Sequence, residues 1–181
     1  MKSIQEIRPV EAKGQPVPWM NYSFVEFLTN RLQTNFNVFE FGSGNSTFYF
    51  SKFVKSIKSV EYDKEWFKIV ESKLPTNAEL ILQEKDTGGQ YCRMAINSGQ
   101  KFEVIIVDGR DRVNCLLQSI LALTSNGVLI LDDSHEAKYQ IAFKEMSNNG
   151  LKALTISGIK PYSSQVASTT IFYRKENCLD I

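Results

Sequence analysis

The stretch Val38-Phe39-Glu40-Phe41-Gly42-Ser43-Gly44-Asn45-Ser46-Thr47 decides the reading of this chain. Val38, Phe39 and Phe41 form an apolar run and read as a buried strand. Gly42 and Gly44 follow as a tight turn, where the missing Cβ lets the backbone come close to a ligand. Asn45 and Ser46 are N-cap residue types, and an apolar helical pattern continues from them. Strand, glycine turn and helix in this order are the nucleotide-cradling corner of open α/β sheets. Gly-Ser-Gly alone is equally compatible with an ordinary tight turn, so the weight falls on what lies around it.

On the N-terminal side, residues 1–18 have no clear periodicity and are expected to form an arm, punctuated by Pro16 and Pro18. Residues 19–181 read as one domain. Ser23-x-x-Glu26 is a capping-box pattern, and Phe24, Phe27, Leu28 and Leu32 continue at helical spacing. Pro18, Trp19 and Tyr22 are alternatively part of a lid.

On the C-terminal side, Phe50, Phe53 and Val54 give a short helix, and Ser56 to Tyr62 gives a second strand. Phe67, Val70 and Leu74 mark a helix that Pro75 stops. Ala78 to Leu82 is the third strand, followed by a polar loop and a short helix over Tyr91 to Asn97. Phe102 to Val107 is nearly all apolar, as in a strand covered on both faces. Leu116, Leu117, Ile120 and Leu121 mark the next helix, which Asn126-Gly127 is expected to close. Val128 to Leu131 is the fifth strand, and Tyr139, Ala142, Phe143 and Met146 make the last helix. Leu151 to Ser157 and Thr169 to Tyr173 are two strands with Gly158, Pro161 and serines between them, which leaves no room for a helix and predicts an antiparallel pair. The pattern predicts a doubly wound, mostly parallel sheet of about seven strands in an α/β/α sandwich, ending in an antiparallel hairpin.

The composition of the 181-residue chain, 43% hydrophobic and 23% charged, is that of a globular protein. A net charge of +1 carries no electrostatic footprint for nucleic acid. No apolar run approaches the roughly 20 residues that span a bilayer, so no membrane partner is expected. Residues 1–14 lack the apolar core of a secretion signal. Cys92, Cys115 and Cys178 have neither metal spacing nor a disulfide pattern, which fits a reducing cytoplasm.

In such sheets the ligand lies at the carboxyl ends of the strands. Polar residues gather there: Glu40 with Gly42 to Gly44, then Glu61, then Glu84 and Asp86, then Asp108, then Asp132-Asp133. Glu61 follows the glycines by about 20 residues, the spacing at which an acid accepts hydrogen bonds from both ribose hydroxyls.

With these residues the chain resembles the class I S-adenosylmethionine-dependent methyltransferases, from Trp19 to Arg174. Glu40-Phe41-Gly42-Ser43-Gly44 matches their first motif, and Val60-Glu61-Tyr62-Asp63 their second-strand acid. Phe102 to Gly109 matches the fourth-strand motif and Asn126 to Asp133 the fifth. Ser46 stands where many members have a third glycine. The resemblance implies S-adenosylmethionine as cofactor, with Gly42, Ser43, Gly44 and Ser46 against its methionine part and Glu40 near the amino group. It places Glu61 on the ribose, Asp86 or Glu84 near the adenine, and Asp108 on the pocket wall.

The acceptor is expected to be a small molecule or saccharide-like, methylated at oxygen. Asp108, Asp133 and His135 are the candidate catalytic residues, His135 because an imidazole is a base near neutral pH. Asp108, Asp132 and Asp133 resemble the metal site of catechol-type O-methyltransferases, but Asp133 replaces an amide there. Mg²⁺ is therefore possible but not favoured, and no metal ligand is assigned. Arg110 and Arg112 could recognise an anionic group on the acceptor. The alternatives are a non-catalytic cofactor-binding protein of the same fold and an NAD-dependent oxidoreductase. The missing third glycine and the terminal hairpin weigh against the oxidoreductase.

Overall fold

The computed structural model describes residues 15–161 and 163–181. Most of the expected arm, residues 1–14, lies outside the described residues. The strands are β1 (Asn37–Phe41), β2 (Ser56–Glu61), β3 (Ala78–Leu82), β4 (Phe102–Val107), β5 (Leu123–Leu131), β6 (Lys152–Ile159) and β7 (Val166–Tyr173). The helices are α1 (Tyr22–Thr29), α2 (Asn45–Phe50), α3 (Lys64–Glu71), α4 (Met94–Asn97), α5 (Arg112–Ser119) and α6 (Gln140–Asn148).

All seven strands join one sheet in the order β3-β2-β1-β4-β5-β7-β6. β1 to β5 run parallel, and β7 is antiparallel to both β5 and β6. Side chains of the central strands alternate between two apolar layers, as the two-residue period of a strand requires. Phe39, Ile105, Val107, Leu129 and Leu131 pack on one face with Ala95, Leu116, Ala142 and Met146 of α4, α5 and α6. Val38, Val104, Ile106, Val128 and Ile130 pack on the other with Phe24 and Leu28 of α1 and Phe50 of α2. Burial on both faces explains why β4 and β5 read as continuous apolar runs rather than alternating ones. The edge strand β6 alternates between exposed and half-buried positions.

The structure departs from the sequence reading at three local points. Asn21, not Ser23, caps α1, accepting from the Phe24 amide at 2.9 Å. Asn21 is fully buried, and its amide also donates to the Ile156 carbonyl and the Thr169 hydroxyl, both at 3.1 Å, so the cap doubles as a clamp on the hairpin. At the start of α2 the cap position is Gly44, while Ser46 and Thr47 lie inside the first turn. Asn126-Gly127 does not close a helix: α5 ends at Ser119, and both residues lie within β5. There the register against β4 shifts between Phe102 and Val104. A Cβ on Gly127 would come 2.7 Å from the Phe102 carbonyl, so this glycine marks an irregular strand pairing.

Strand order reverses between β1 and β4, which are neighbours although their helices leave to opposite faces. At this point the Asp108 amide donates to the Phe41 carbonyl at 3.0 Å, and the two chains leave the sheet side by side. A Cβ on Gly109 would meet the Tyr91 hydroxyl at 2.2 Å, the Gly42 nitrogen at 2.9 Å and the Phe41 carbonyl carbon at 3.0 Å. Gly109→Ala is expected to lower stability by about 1–3 kcal/mol through overpacking. Adding Tyr91→Phe should recover only part of the loss, because the backbone of residues 41 and 42 still blocks the methyl; urea denaturation of the single and double variants measures this.

Candidate functional site

The reversal opens a cleft of about 500 Å³ at the carboxyl ends of the strands, with Gly42, Ser43, Ser46, Glu61, Tyr62, Asp63, Trp66, Asp108, Gly109, Arg110 and Arg112 along its walls. Gly42 holds a φ of 98° and Gly44 one of 142°, values that side-chain-bearing residues rarely take. Of the residues named from sequence, Gly42, Ser43, Ser46, Glu61 and Asp108 meet here, with Arg110 and Arg112 beside them. Gly44 lies beneath the Trp66 ring, whose indole nitrogen donates to the Ser43 carbonyl at 2.9 Å.

Glu61 ends β2 and is almost wholly buried. Its Oε1 accepts from the Tyr62 and Asp63 amides at 2.8 and 3.0 Å, which fixes the plane of the carboxylate. Its Oε2 takes the Ser43 hydroxyl at 2.8 Å, so this oxygen faces the glycine turn and the cleft. Asp63 then caps α3 through the Glu65 and Trp66 amides, both at 2.9 Å, and so fixes Trp66 over the turn. Tyr62, beside Glu61, receives the Arg110 guanidinium at 2.8 Å on its hydroxyl.

Glu40 does not line the cleft. It is 1% exposed and lies under the turn, where Ser46, Thr47 and Ser59 donate to its carboxylate. Thr47 in turn accepts from the Gly44 amide at 3.0 Å. Burial pushes the Glu40 carboxyl above its ordinary value, against the three hydroxyl donors. Asp86 is exposed and outside the cleft wall; it accepts from the Gln90 and Tyr91 amides at 2.7 and 2.9 Å and caps the turn that begins there.

A second group forms where β4 and β5 end. Arg112 donates to the Asp108 carboxylate at 2.9 Å, and to the carbonyls of Asp108, Gly109 and Asp132. This guanidinium ties two strand ends together, so of the two arginines expected to meet an acceptor only Arg110 is exposed. Asp132 is fully buried, with the Thr169 hydroxyl at 2.6 Å and the Lys160 ammonium at 2.7 Å. Asp133, at a φ of 53°, meets the same ammonium at 2.5 Å. Burial and the adjacent Asp132 charge push the Asp108 carboxyl well above the usual range, while Arg112 and Lys160 pull it back. His135 is exposed, and its Nδ1 accepts from the Ser168 amide at 3.2 Å, outside the cleft wall.

Two residues of this region were not named from sequence. Lys160 reaches Asp132 from the β6–β7 loop, and no local pattern links residues so far apart. Trp66 carried a signal, since a large aromatic at the exposed start of a helix has no core to enter. The cysteines are free and buried, and burial pushes the Cys178 thiol up to about 12, which leaves it unreactive.

Beyond Gly109 the cleft continues into a second hollow of about 470 Å³, bordered by Arg110, Asp111, Val113, Glu136, Lys138 and Tyr139. The Glu40 geometry has a consequence for stability. An acid whose folded value is raised stabilises the fold below its unfolded value of 4.5, and that contribution is lost as pH rises through the folded value. Glu40→Gln should therefore show a shallower decline in unfolding free energy from pH 4.5 towards neutrality than the native chain. Chemical denaturation at a series of pH values checks this.

No family model matches the chain, and no curated protein matches it in sequence. Solved structures do match in shape. A precorrin-6y C5,15-methyltransferase from Geobacter metallireducens aligns over 95% of this chain and 96% of its own, at 12% identity and a TM-score of 0.68. A tRNA (m1A58) methyltransferase from Aquifex aeolicus aligns over 91% and 72%, at 15% identity and a TM-score of 0.60. A Streptococcus mutans protein solved in complex with SAH aligns over 82% and 93%, at 14% identity and a TM-score of 0.56. Taken with the strand order and the terminal antiparallel hairpin, these similarities give the chain the fold of the class I S-adenosylmethionine-dependent methyltransferases.

Proposed function

We propose that this protein is an S-adenosylmethionine-dependent methyltransferase that acts at an oxygen of a small-molecule or saccharide-like acceptor. The observation that carries the reading is Glu61. One of its oxygens is fixed by two backbone amides, and the other meets only a flexible side-chain hydroxyl, that of Ser43, at the cleft. A carboxylate held in this way suits a vicinal diol, which can add to or replace the serine hydroxyl, and it would repel a phosphate at the same place.

The residues present fit such a cofactor. Gly42, at a positive φ and against the Gly109 backbone, lets the turn run along the cleft wall without a side chain between backbone and cofactor. Gly42, Ser43 and Ser46 would hold the methionine part, Glu61 the ribose, and Tyr62 the adenine side. When bound, the cofactor supplies a methyl group on a sulfonium that is already activated for displacement. The chain's task is then to align the acceptor and take up a proton. Asp108 stands on the cleft wall, its carboxyl held well above its ordinary value by burial and the neighbouring Asp132, and would accept the hydroxyl proton. The hollow beyond Gly109 has the size of a small-molecule site, and Arg110 and Lys138 at its rim would attract polar or anionic groups. Asp133 shares Arg112 with Asp108 and would act through its charge, which raises the Asp108 carboxyl further, while His135 would act only through a change in the loop after β5.

Calorimetric titration with S-adenosylmethionine, with NAD as control, tests the cofactor. Micromolar binding is expected, weakened roughly 10- to 100-fold in Glu61→Ala, the range for a lost bond to a charged group. Absence of binding, or tighter binding of NAD, overturns the reading. Transfer of labelled methyl groups to a panel of hydroxylated small molecules tests the acceptor. Asp108→Asn is expected to lower kcat by about 10²-fold or more, the usual weight of a general base, with the cofactor Kd little changed.

A further inference from the structure

We propose that the Lys160 ammonium is a built-in cation, standing among the Asp108, Asp132 and Asp133 carboxylates where a related site would take a divalent metal. The three aspartates offer oxygens that all lie within 4.8 Å of one another, close enough for one ion. Mg²⁺ and Mn²⁺ choose such oxygen donors. Here the space between Asp132 and Asp133 is taken by Lys160, whose Nζ is 2.7 Å from Asp132 Oδ2 and 2.5 Å from Asp133 Oδ1. The Thr169 hydroxyl holds the other oxygen of Asp132. Arg112 meets Asp108 at 2.9 Å and reaches towards Asp133 at 3.7 Å.

Charge balance points the same way. Three carboxylates face two fixed cations, so the cluster keeps an excess of one negative charge at most. Burial works against the Lys160 charge, and the Asp132 and Asp133 carboxylates outweigh it, so the ammonium titrates above its ordinary value. A divalent ion would have to displace this amine from both carboxylates, at the cost of two charge-assisted hydrogen bonds.

The lysine also couples two parts of the fold. It enters from the loop between β6 and β7 and fastens that loop to the end of β5. Lys160 is thus a positioning residue: it sets the charge around Asp108 and the distance of the hairpin loop from the cleft. Under the function proposed above, methyl transfer needs no added metal and is indifferent to chelators. The ion-binding test does not use the cofactor, so its outcome is separate from that of the methyltransferase reading.

The test is a Mn²⁺ titration, followed by electron paramagnetic resonance, of the native chain, Lys160→Met, Lys160→Gln and Lys160→Arg. The native chain and Lys160→Arg are expected to show no saturable site. Lys160→Met should gain one site, at least about tenfold tighter than any residual binding by the native chain, and Asp133→Asn in the same chain should abolish it. Lys160→Gln, which keeps a hydrogen-bond donor and most of the volume, gives the same reading if the methionine variant does not fold. A purely structural lysine would change stability without creating an ion site. The proposal is overturned if the native chain binds one Mn²⁺ that Asp133→Asn removes, or if a folded Lys160→Met or Lys160→Gln chain gains no site.

Discussion

The close passage of two backbones, β1 leaving the sheet at Gly42 and β4 leaving it at Gly109, is the constraint on which the rest of this structure depends. A Cβ at either position would meet the other chain at or inside ordinary contact distance. Because both are glycines, the strand ends can lie side by side while their helices turn to opposite faces. That divergence makes the cleft, as it does in open α/β sheets generally. The apolar layers above and below supply the stability, but they would serve equally well with the cleft closed.

Around this opening the fold places five carboxylates in three different environments. Glu40 is buried and satisfied by hydroxyls alone, so it braces the glycine turn from below and takes no part in the cleft wall. Glu61 is buried but keeps one oxygen towards the cleft, held in plane by two amides. Asp108, Asp132 and Asp133 are held together by Arg112 and Lys160, two long side chains from different elements. Acids close together in sequence motifs thus differ in role because their partners differ. Burial raises the Glu40, Asp108 and Asp132 carboxyls, against the hydroxyl donors of the first and the cations beside the other two.

Much of the fold could be read directly from the chain. Strand periodicity, the glycine turn and the acids at strand ends led to the sheet, its mixed direction and the terminal hairpin. The departures came where one residue type serves two purposes. Asn126-Gly127 is a common turn signal, yet here the glycine relieves a clash with the Phe102 carbonyl inside an irregular strand pairing. Ser46 is a capping type, yet its hydroxyl goes to Glu40 because a buried carboxylate without donors would cost more than an uncapped helix end. Asp86 and His135 sit near the expected strand ends in sequence, but both accept from backbone amides, Asp86 from the next turn and His135 from Ser168 on β7.

The sequence by itself determined the α/β architecture, the position of the cleft and the carboxylates available to it, because these follow from local periodicity and from glycine's missing side chain. Only the tertiary structure decided how those carboxylates are partnered. Arg112 reaching across to Asp132, Lys160 entering from the hairpin loop and Trp66 lying over Gly44 all join residues far apart in the chain. Such pairings arise from how layers and loops come together in space, and no spacing rule along one chain carries that information.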